Sequence, residues 1–494
     1  MKIVTPEQMK NIDARAVQLG VPSLLLMENA ASAVVSELPT NAQTFLVVCG
    51  SGNNGGDGYA IARHLFCSGK QVYILKASDP KTEDATINYK IALDFKIPFV
   101  TIEELCEYDV IVDALLGTGI SGDVRDNERK IIEYINSSNS YICSVDIPSG
   151  TDGKSGAVCG ISVKADKTVT FALYKQGQFW TDNTGKLVLK NISIPTAAID
   201  DEDIKTNVTD YSFVKSLLPK RVSTAHKGSC GKVFVVAGSE GMTGAARLCC
   251  EAALRTGTGL LRLAIPKALN IVMERTLTEA MTVPVSEIDG AISADSAEQI
   301  LPYIDNSDAL LIGCGLSTKV GVKESFAKII SQCNVPMVID ADGLNLLADN
   351  LELIRNKNVV LTPHPVEFSR LSGLSITEIN QDRVKNASDF AVKYGVTVVL
   401  KGKGTVIALP DGCSYINNTG NEGMATGGSG DVLAGMVVSL IGQGLNTWEA
   451  AIAAVFLHGL CGDIAKEYKG IYSMLPSDMV NYICEAIDTV KEVG

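Results

Sequence analysis

Apolar runs of four to seven residues alternate along this chain with longer stretches whose apolar positions recur at helical spacing. FLVVCG (45–50), QVYILKA (71–77), DVIVDALLG (109–117) and YICSVDIP (141–148) show little polar alternation, the pattern of strands covered on both faces. The segments between them, such as GGDGYAIARHLFCSG, carry a helical apolar period. Together they predict a βαβ rhythm, and so an α/β fold with a doubly wound, largely parallel sheet. The rhythm lapses after LVLKNISIP (187–195), where Asp200, Asp201, Glu202 and Asp203 stand in a row. A stretch with no apolar face predicts a linker near 197–210. A second α/β series then runs through GKVFVVAGS (231–239), ALLIGCGLS (309–317), PMVIDADG (336–343), NVVLTPHP (358–365) and TVVLKGKGTVIAL (397–409). The two series do not resemble each other, which makes the chain a fusion of different domains and not a repeat.

Composition narrows the partners. The 494 residues allow two or three domains at about 100–200 residues each. A formal net charge of −13 argues against nucleic-acid or anionic-membrane surfaces, which need clustered Lys and Arg. It leaves room for a small anionic ligand held by backbone amides. The 13 cysteines include no CxxC, and with only 4 histidines no zinc-ligand spacing arises; reduced, buried thiols are expected. No basic-then-apolar leader opens the chain, and the apolar runs stop short of the ~20 residues that span a bilayer, so a cytoplasmic location is expected.

Candidate chemistry begins at GSGNNGGDG (50–58), which follows a strand and opens a helix. Its glycines let backbone amides approach a phosphate at a helix N-terminus, yet the spacing is neither GxGxxG nor a P-loop. Asp113 in VDALLG, the loop GTGISGD (117–123), and Asp146 with Ser149 in DIPSG all fall at C-terminal ends of expected strands. In an open α/β sheet those ends share one crevice. Any one of these carboxylates is equally well read as a cap or a surface charge; their convergence is what points to a site.

These residues carry a resemblance. EQMKNIDARAVQLGVPSLLLMENAA, GSGNNGGDG, DALLGTG and SVDIPSGTD are similar to the NAD(P)H-hydrate epimerase domain, over roughly 1–205, with Ala31 where that family usually has Gly. The resemblance implies a Rossmann-like, three-layer αβα domain. It also implies that Asn53, Asn54, Gly55, Gly56 and Asp57 bind the hydrated cofactor, together with Gly117, Thr118, Gly119, Ile120, Ser121, Gly122 and Asp123. Asn54, Asp113 and Ser149 resemble potassium ligands, a set of hard oxygens. Asp146 matches a substrate-contacting aspartate and is the expected acid/base group. Lys175, in FALYKQG, is a weaker candidate for the same edge and is not counted among the site residues.

The densest motif is NNTGNEGMATGGSGDVLAGMVVSL (417–440). TGGSG places a run of amides at the start of an apolar helix, an anion hole for a phosphoryl group. Asp431 follows at once, positioned to take a proton from a hydroxyl. As a bare first-turn carboxylate it would only favour the helix dipole. With KGKGT (401–405), TPHPVEF (362–368) and DADGLN (340–345), the pattern resembles the ribokinase-like superfamily, and within it the ADP-dependent NAD(P)H-hydrate dehydratases, over roughly 212–494. That implies nucleotide contacts from Lys401, Gly402, Lys403, Gly404, Thr405 and Gly430. It implies substrate contacts from Ala252, Gly315, His364 and Asp431. The turn GCGLS (313–317) departs from the family's commoner GPGLG at Cys314 and Ser317.

The implied activity is bifunctional: epimerisation of R and S hydrates of NADH and NADPH, and dehydration of the S form using ADP, with Mg2+ on the nucleotide and K+ in the first site. A homo-oligomer is expected, with small-molecule partners and neither nucleic acid nor membrane. The anion hole alone also admits a small-molecule kinase fused to a nucleotide-binding domain. The fused first half decides between them, because an epimerase supplies the substrate that a hydrate dehydratase consumes.

Overall fold

The apolar runs of the first half become strands β1 (Thr44–Cys49), β2 (Gln71–Lys76), β3 (Phe99–Val100), β4 (Val110–Ala114), β5 (Tyr141–Val145), β6 (Lys167–Phe171) and β7 (Lys186–Lys190). They lie side by side in the order β3-β2-β1-β4-β5-β6-β7, every pairing parallel. Phe45 and Val47 enter one core with Tyr59 and Val112, while Leu46 and Val48 enter another with Ile111 and Ile132. Successive residues of a strand point to opposite faces, so a sheet covered on both sides demands the unbroken apolar runs seen in the sequence. The chain leaves β1 toward one edge and returns to β4 on its other side, which opens a crevice at the C-terminal ends of these two strands.

The computed structural model describes residues 1–120 and 122–493 and contains two units, Lys2–Ile204 and Lys205–Gly494 together with Met1. Helix α1 (Pro6–Gln18) starts from Thr5, whose side chain caps Gln8 in a capping box, with proline in the first turn. Helices α2 (Ser23–Val35) and α3 (Asn53–Cys67) come next, the latter directly after β1.

The acidic stretch is not a bare linker. Thr196–Asp200 forms a short helix with Ala198 buried. Asp200 pairs with Lys2 and Asp201 with Arg15, and Ile199 and Ile204 pack on the core. Basic residues far upstream oppose the acidic run, a partnership that local composition conceals. Residues Thr206–Val208 (β8) then open the second sheet.

That sheet adds β9 (Lys232–Val236), β10 (Leu260–Pro266), β11 (Met281–Val285), β12 (Ala309–Ile312), β13 (Met337–Ile339), β14 (Val359–Leu361), β15 (Thr397–Leu400), β16 (Val406–Ala408) and β17 (Ser414–Ile416). Its order is β8-β17-β16-β15-β14-β13-β12-β9-β10-β11. The run from β15 to β11 is parallel, and β16 is antiparallel to both its neighbours. Helices α4 (Thr243–Thr256), α5 (Pro365–Ser372), α6 (Ser429–Gly442) and α7 (Thr447–Ser473) pack in the same unit. Contrary to the sequence expectation, α7 is long and apolar enough to cross a membrane, but 78% of its apolar window is buried inside the unit. Ala450 to Leu457 fill the core beside α6. All thirteen cysteines are free thiols.

Candidate active sites

In the N-terminal unit the site forms where β1 and β4 part. Gly50 touches the β4 exit so closely that a Cβ there would lie 1.8 Å from the Leu115 carbonyl oxygen. Gly55 and Gly56 are buried packing positions, one against the Gly50 backbone and the other against Met27. Asn53, Asn54 and Asp57 line a cavity of about 930 Å³, together with Gly117, Thr118, Gly119 and Ile120. Gly122 and Asp123 lie outside that lining, Asp123 beside Gly160. Ser121 falls outside the described residues.

Asp113 is fully buried at the end of β4. It accepts hydrogen bonds from Ser144 Oγ (2.7 Å), the Ser149 amide (2.9 Å), Ser149 Oγ (2.5 Å) and the Leu115 amide (3.3 Å). Burial raises its pKa, against the pull of these donors. Asn54 Nδ2 donates to the Leu116 carbonyl (3.1 Å), and the Leu116 amide donates to Ser149 Oγ (2.8 Å). Asn54, Asp113 and Ser149 therefore surround one turn.

Asp146 lines the cavity from a left-handed backbone, φ 66°. Such strain in a non-glycine residue persists where the surroundings enforce it, most often at functional sites. Its Oδ1 accepts from Lys175 Nζ (2.5 Å) and Thr170 Oγ1 (2.8 Å). Lys175 is only 1% exposed, and its ammonium also donates to Thr170 Oγ1 and the Phe171 carbonyl. Asp13, on α1, lines the same cavity; burial and the Asp146 charge push it up to about 6 against the pull of Lys175. Asp57 is raised well above the usual carboxylate range by burial, then by Asp146, Asp13 and Asp84. Asp13 and Asp84 are not singled out by any motif spacing in the sequence. The available signal for Asp13 is its place on the flank of the buried stripe Met9, Ile12 and Ala16.

In the C-terminal unit, the C-terminal ends of β12 to β15 bring up Cys314, Asp340, His364 and Lys401, and the first turn of α6 brings Gly430 and Asp431. Asp340 Oδ1 accepts from Lys401 Nζ (2.9 Å) and Thr362 Oγ1 (2.8 Å). A Cβ on Gly430 would stand 3.1 Å from that ammonium, so a side chain there would crowd it. Burial and the Asp340 charge push Asp431 up to about 6. Burial alone would depress Lys401, but Asp340 and Glu367 hold it above its ordinary value. Glu367 is pushed up to about 7 by burial.

His364 is the N-cap of α5, its Nδ1 accepting from the amides of Val366 (3.1 Å) and Glu367 (3.3 Å). Burial and Lys401 lower its pKa. In that arrangement the neutral ring carries its proton on Nε2, 3.4 Å from Glu367 Oε1. His458, buried in α7, holds the start of α6 through its Nε2, 2.9 Å from the Ser429 carbonyl oxygen; burial drives its pKa down to about 4, so the neutral ring donates. From the same helix, Asp463 accepts from the Gly420 amide and Asn421 Nδ2, both at 2.9 Å. The glycine-rich approach to Asp431 is thus fixed by α7.

The KGKGT loop closes through Thr405 Oγ1, which donates to the Gly402 carbonyl (2.8 Å). Buried Arg383 donates to the Lys401 carbonyl (3.1 Å) and lies against Gly402; Lys403 and Gly404 complete the loop. Ala252 is a buried residue of α4, packed toward Gly435 of α6. Gly315 takes a left-handed φ of 60° tight against Met242. Ser317, two residues on, has φ 76° with its amide donating to Asp342 (2.8 Å). Ser317→Gly keeps that bond and removes the strain, so it should stabilise the C-terminal unit by about 1 kcal/mol. Urea unfolding followed on that unit checks this, and an unchanged or lower midpoint would count against the strain.

An α/β unit with a crevice at its switch point, followed by one with a strand-end cluster of Asp, Lys and Asp at a glycine-rich helix start, defines a two-site nucleotide-handling enzyme. Residues 23–177 match the family model of the YjeF-related protein N-terminus, and residues 233–485 match that of NAD(P)H-hydrate dehydratase. The chain belongs to the family of bifunctional NAD(P)H-hydrate repair enzymes. It is 36% identical to the member from Moorella thermoacetica, over 100% of this chain and 98% of that one. It is 38% identical to the member from Thermofilum pendens, over 100% and 97%, and 36% identical to the member from Escherichia coli, over 92% and 87%. A solved ribokinase-like superfamily protein from Enterococcus faecalis matches 58% of this chain and 96% of its own at 27% identity and a TM-score of 0.52.

Proposed function

We propose that the N-terminal unit interconverts the R and S hydrates of NADH and NADPH, and that the C-terminal unit dehydrates the S form with ADP as phosphoryl donor, leaving AMP and phosphate. The observation that carries this reading is the pairing of an acid-lined crevice in one unit with an Asp431–Asp340–Lys401 cluster in the other.

In the first site Asp146 exchanges a proton with the hydrate while C6 of the nicotinamide ring loses its configuration. Lys175 fixes its Oδ1. In the second, Asp431 takes the proton of the C6 hydroxyl as that oxygen attacks the terminal phosphorus of ADP. The ADP bridging bond breaks, AMP departs, and the amides of 427–430 hold the charge of the transferring group. The C6–O bond then breaks, the oxygen leaving as phosphate, and C5 gives up a proton to solvent as the C5–C6 double bond forms and restores the dihydropyridine. Lys401 to Thr405 and Gly430 hold the nucleotide, and His364 and Gly315 hold the hydrate. Magnesium on the nucleotide would supply positive charge to the phosphates, and the hard carboxylate oxygens of Asp340 fit it.

If ADP is the donor, phosphate released should equal dihydronicotinamide regained, one for one, with AMP as coproduct. Turnover with ATP and none with ADP would overturn the donor assignment, and accumulation of a stable phosphate ester would point to a kinase.

Asn54, Asp113 and Ser149 would hold potassium. A buried carboxylate satisfied by hydroxyls and amides fits a monovalent cation that neutralises it. Replacing potassium with a bulky organic cation should weaken hydrate binding to the N-terminal unit, as read by calorimetry; unchanged affinity would contradict the assignment.

A further inference from the structure

The catalytic cluster of the C-terminal unit contains a thiol that the dehydration does not use. Cys314 is fully buried at the exit of β12. Ligand atoms of Cys314, Asp340 and Asp431 all lie within 4.8 Å of one another. The two oxygens of Asp340 have different surroundings. Oδ1 is taken by Lys401 and Thr362. Oδ2 faces Cys314 Sγ at 4.0 Å, its contact among the described residues, although Asp340 is 1% exposed. A buried carboxylate oxygen is thus aimed into the cluster with only a long, weak thiol donor. The missing side chain of Gly430 leaves open the space next to it, since a Cβ there would sit 3.7 Å from Oδ2. A second thiol, Cys249, lies against Cys314.

We propose that Cys314, Asp340 and Asp431 form a binding site for a thiophilic divalent cation of the zinc and cadmium class, and that filling it takes Asp431 out of catalysis. A zinc ion at about 2.3 Å from sulfur and about 2.0 Å from oxygen, in tetrahedral geometry, sets ligand atoms about 3.5 Å apart. From separations of 4.8 Å or less, the cluster reaches that spacing by a contraction of about 1.3 Å at most. The thiol loses its proton to solvent as the sulfur–metal bond forms, and no electrons are transferred. Magnesium, a hard ion with little use for sulfur, competes through the carboxylates alone. The site leaves a fourth position for water. It differs from a catalytic zinc site in that the ligand it captures is the base the reaction needs.

The test compares the full chain with Cys314→Ala and with Cys314→Ser, which keeps the shape of the side chain and replaces the soft sulfur by a hard oxygen. Cadmium is titrated under reducing conditions in zinc-free buffer, and the ultraviolet absorbance of cadmium–thiolate bonds is read directly. This readout is independent of the dehydratase assignment on which the inhibitory consequence rests. Both variants should lose one tight thiolate-bound equivalent relative to the parent chain. Zinc should inhibit dehydration by the parent chain, and both variants should require about 10–100-fold more zinc for the same inhibition. Epimerisation should show no such dependence on Cys314. Equal cadmium absorbance in all three proteins would overturn the site. A lost equivalent with unchanged zinc inhibition would overturn the inhibitory role.

Discussion

Asp431→Asn should lower dehydration of the S hydrate by roughly 10²–10⁴-fold, the range expected for loss of a positioned base, while epimerisation continues at the parent rate. The variant keeps the shape of the side chain and removes a charge that is costly where it stands, since burial and Asp340 push its pKa up to about 6. The fold should therefore be at least as stable as before. ADP should still bind, because Lys401 keeps its contact with Asp340 and one negative charge near the phosphates is gone. Calorimetry with ADP, a melting curve and the two separate rate assays give the pattern: dehydration lost, nucleotide bound, epimerase intact. Parent-level dehydration in this variant would remove Asp431 from the role of base.

Asp146→Asn should lower epimerisation by a similar factor, roughly 10²–10⁴-fold, and leave dehydration of pure S hydrate unchanged. Here the structure adds a consequence that composition and motif do not suggest. Lys175 is buried, and Asp146 is its carboxylate partner at 2.5 Å. Removing one member of a buried pair strands the other charge, at a cost of about 3–5 kcal/mol. The single variant should thus be both slow and less stable in its N-terminal unit. Adding Lys175→Met removes the stranded charge. The double variant should regain stability without regaining epimerisation, which separates the chemical role of Asp146 from its structural one. Recovery of epimerisation along with stability would make Asp146 a structural residue only.

Much of the fold is written in the apolar runs, because a parallel sheet covered on both faces leaves few polar positions on its strands. FLVVC, VIVDA and VVL became strands for that reason. The stretch after 195 read differently because its partners are remote: Lys2 and Arg15 lie nearly two hundred residues upstream of Asp200 and Asp201. Helix Thr447–Ser473 posed the opposite problem, since burial on all sides and membrane burial call for the same composition.

The candidate sites were partly legible. Glycines with Asn and Asp after a strand, and TGGSGD before an apolar helix, mark where backbone and carboxylate meet a ligand. Spacing alone does not show that a side chain on Gly55 or Gly56 would collide with the Gly50 backbone or with Met27. It does not show that Asp340 and Lys401, sixty-one residues apart, form one ion pair, nor that Asp13 reaches across from α1. His364 stands out in the sequence between two prolines, and in the fold it also caps a helix, a local duty that a motif comparison does not reveal.

Two activities in one chain, one feeding the other, are tested most directly together. The protein is given a mixture of R and S hydrates of NADH with ADP, magnesium and potassium, and the return of dihydronicotinamide absorbance is followed to completion. Both epimers should be consumed, with full recovery by the parent chain and recovery of the S fraction alone, apart from slow spontaneous epimerisation, by Asp146→Asn. Recovery that stops at the S fraction in the parent chain, or no recovery at all, would contradict the coupling of the two sites.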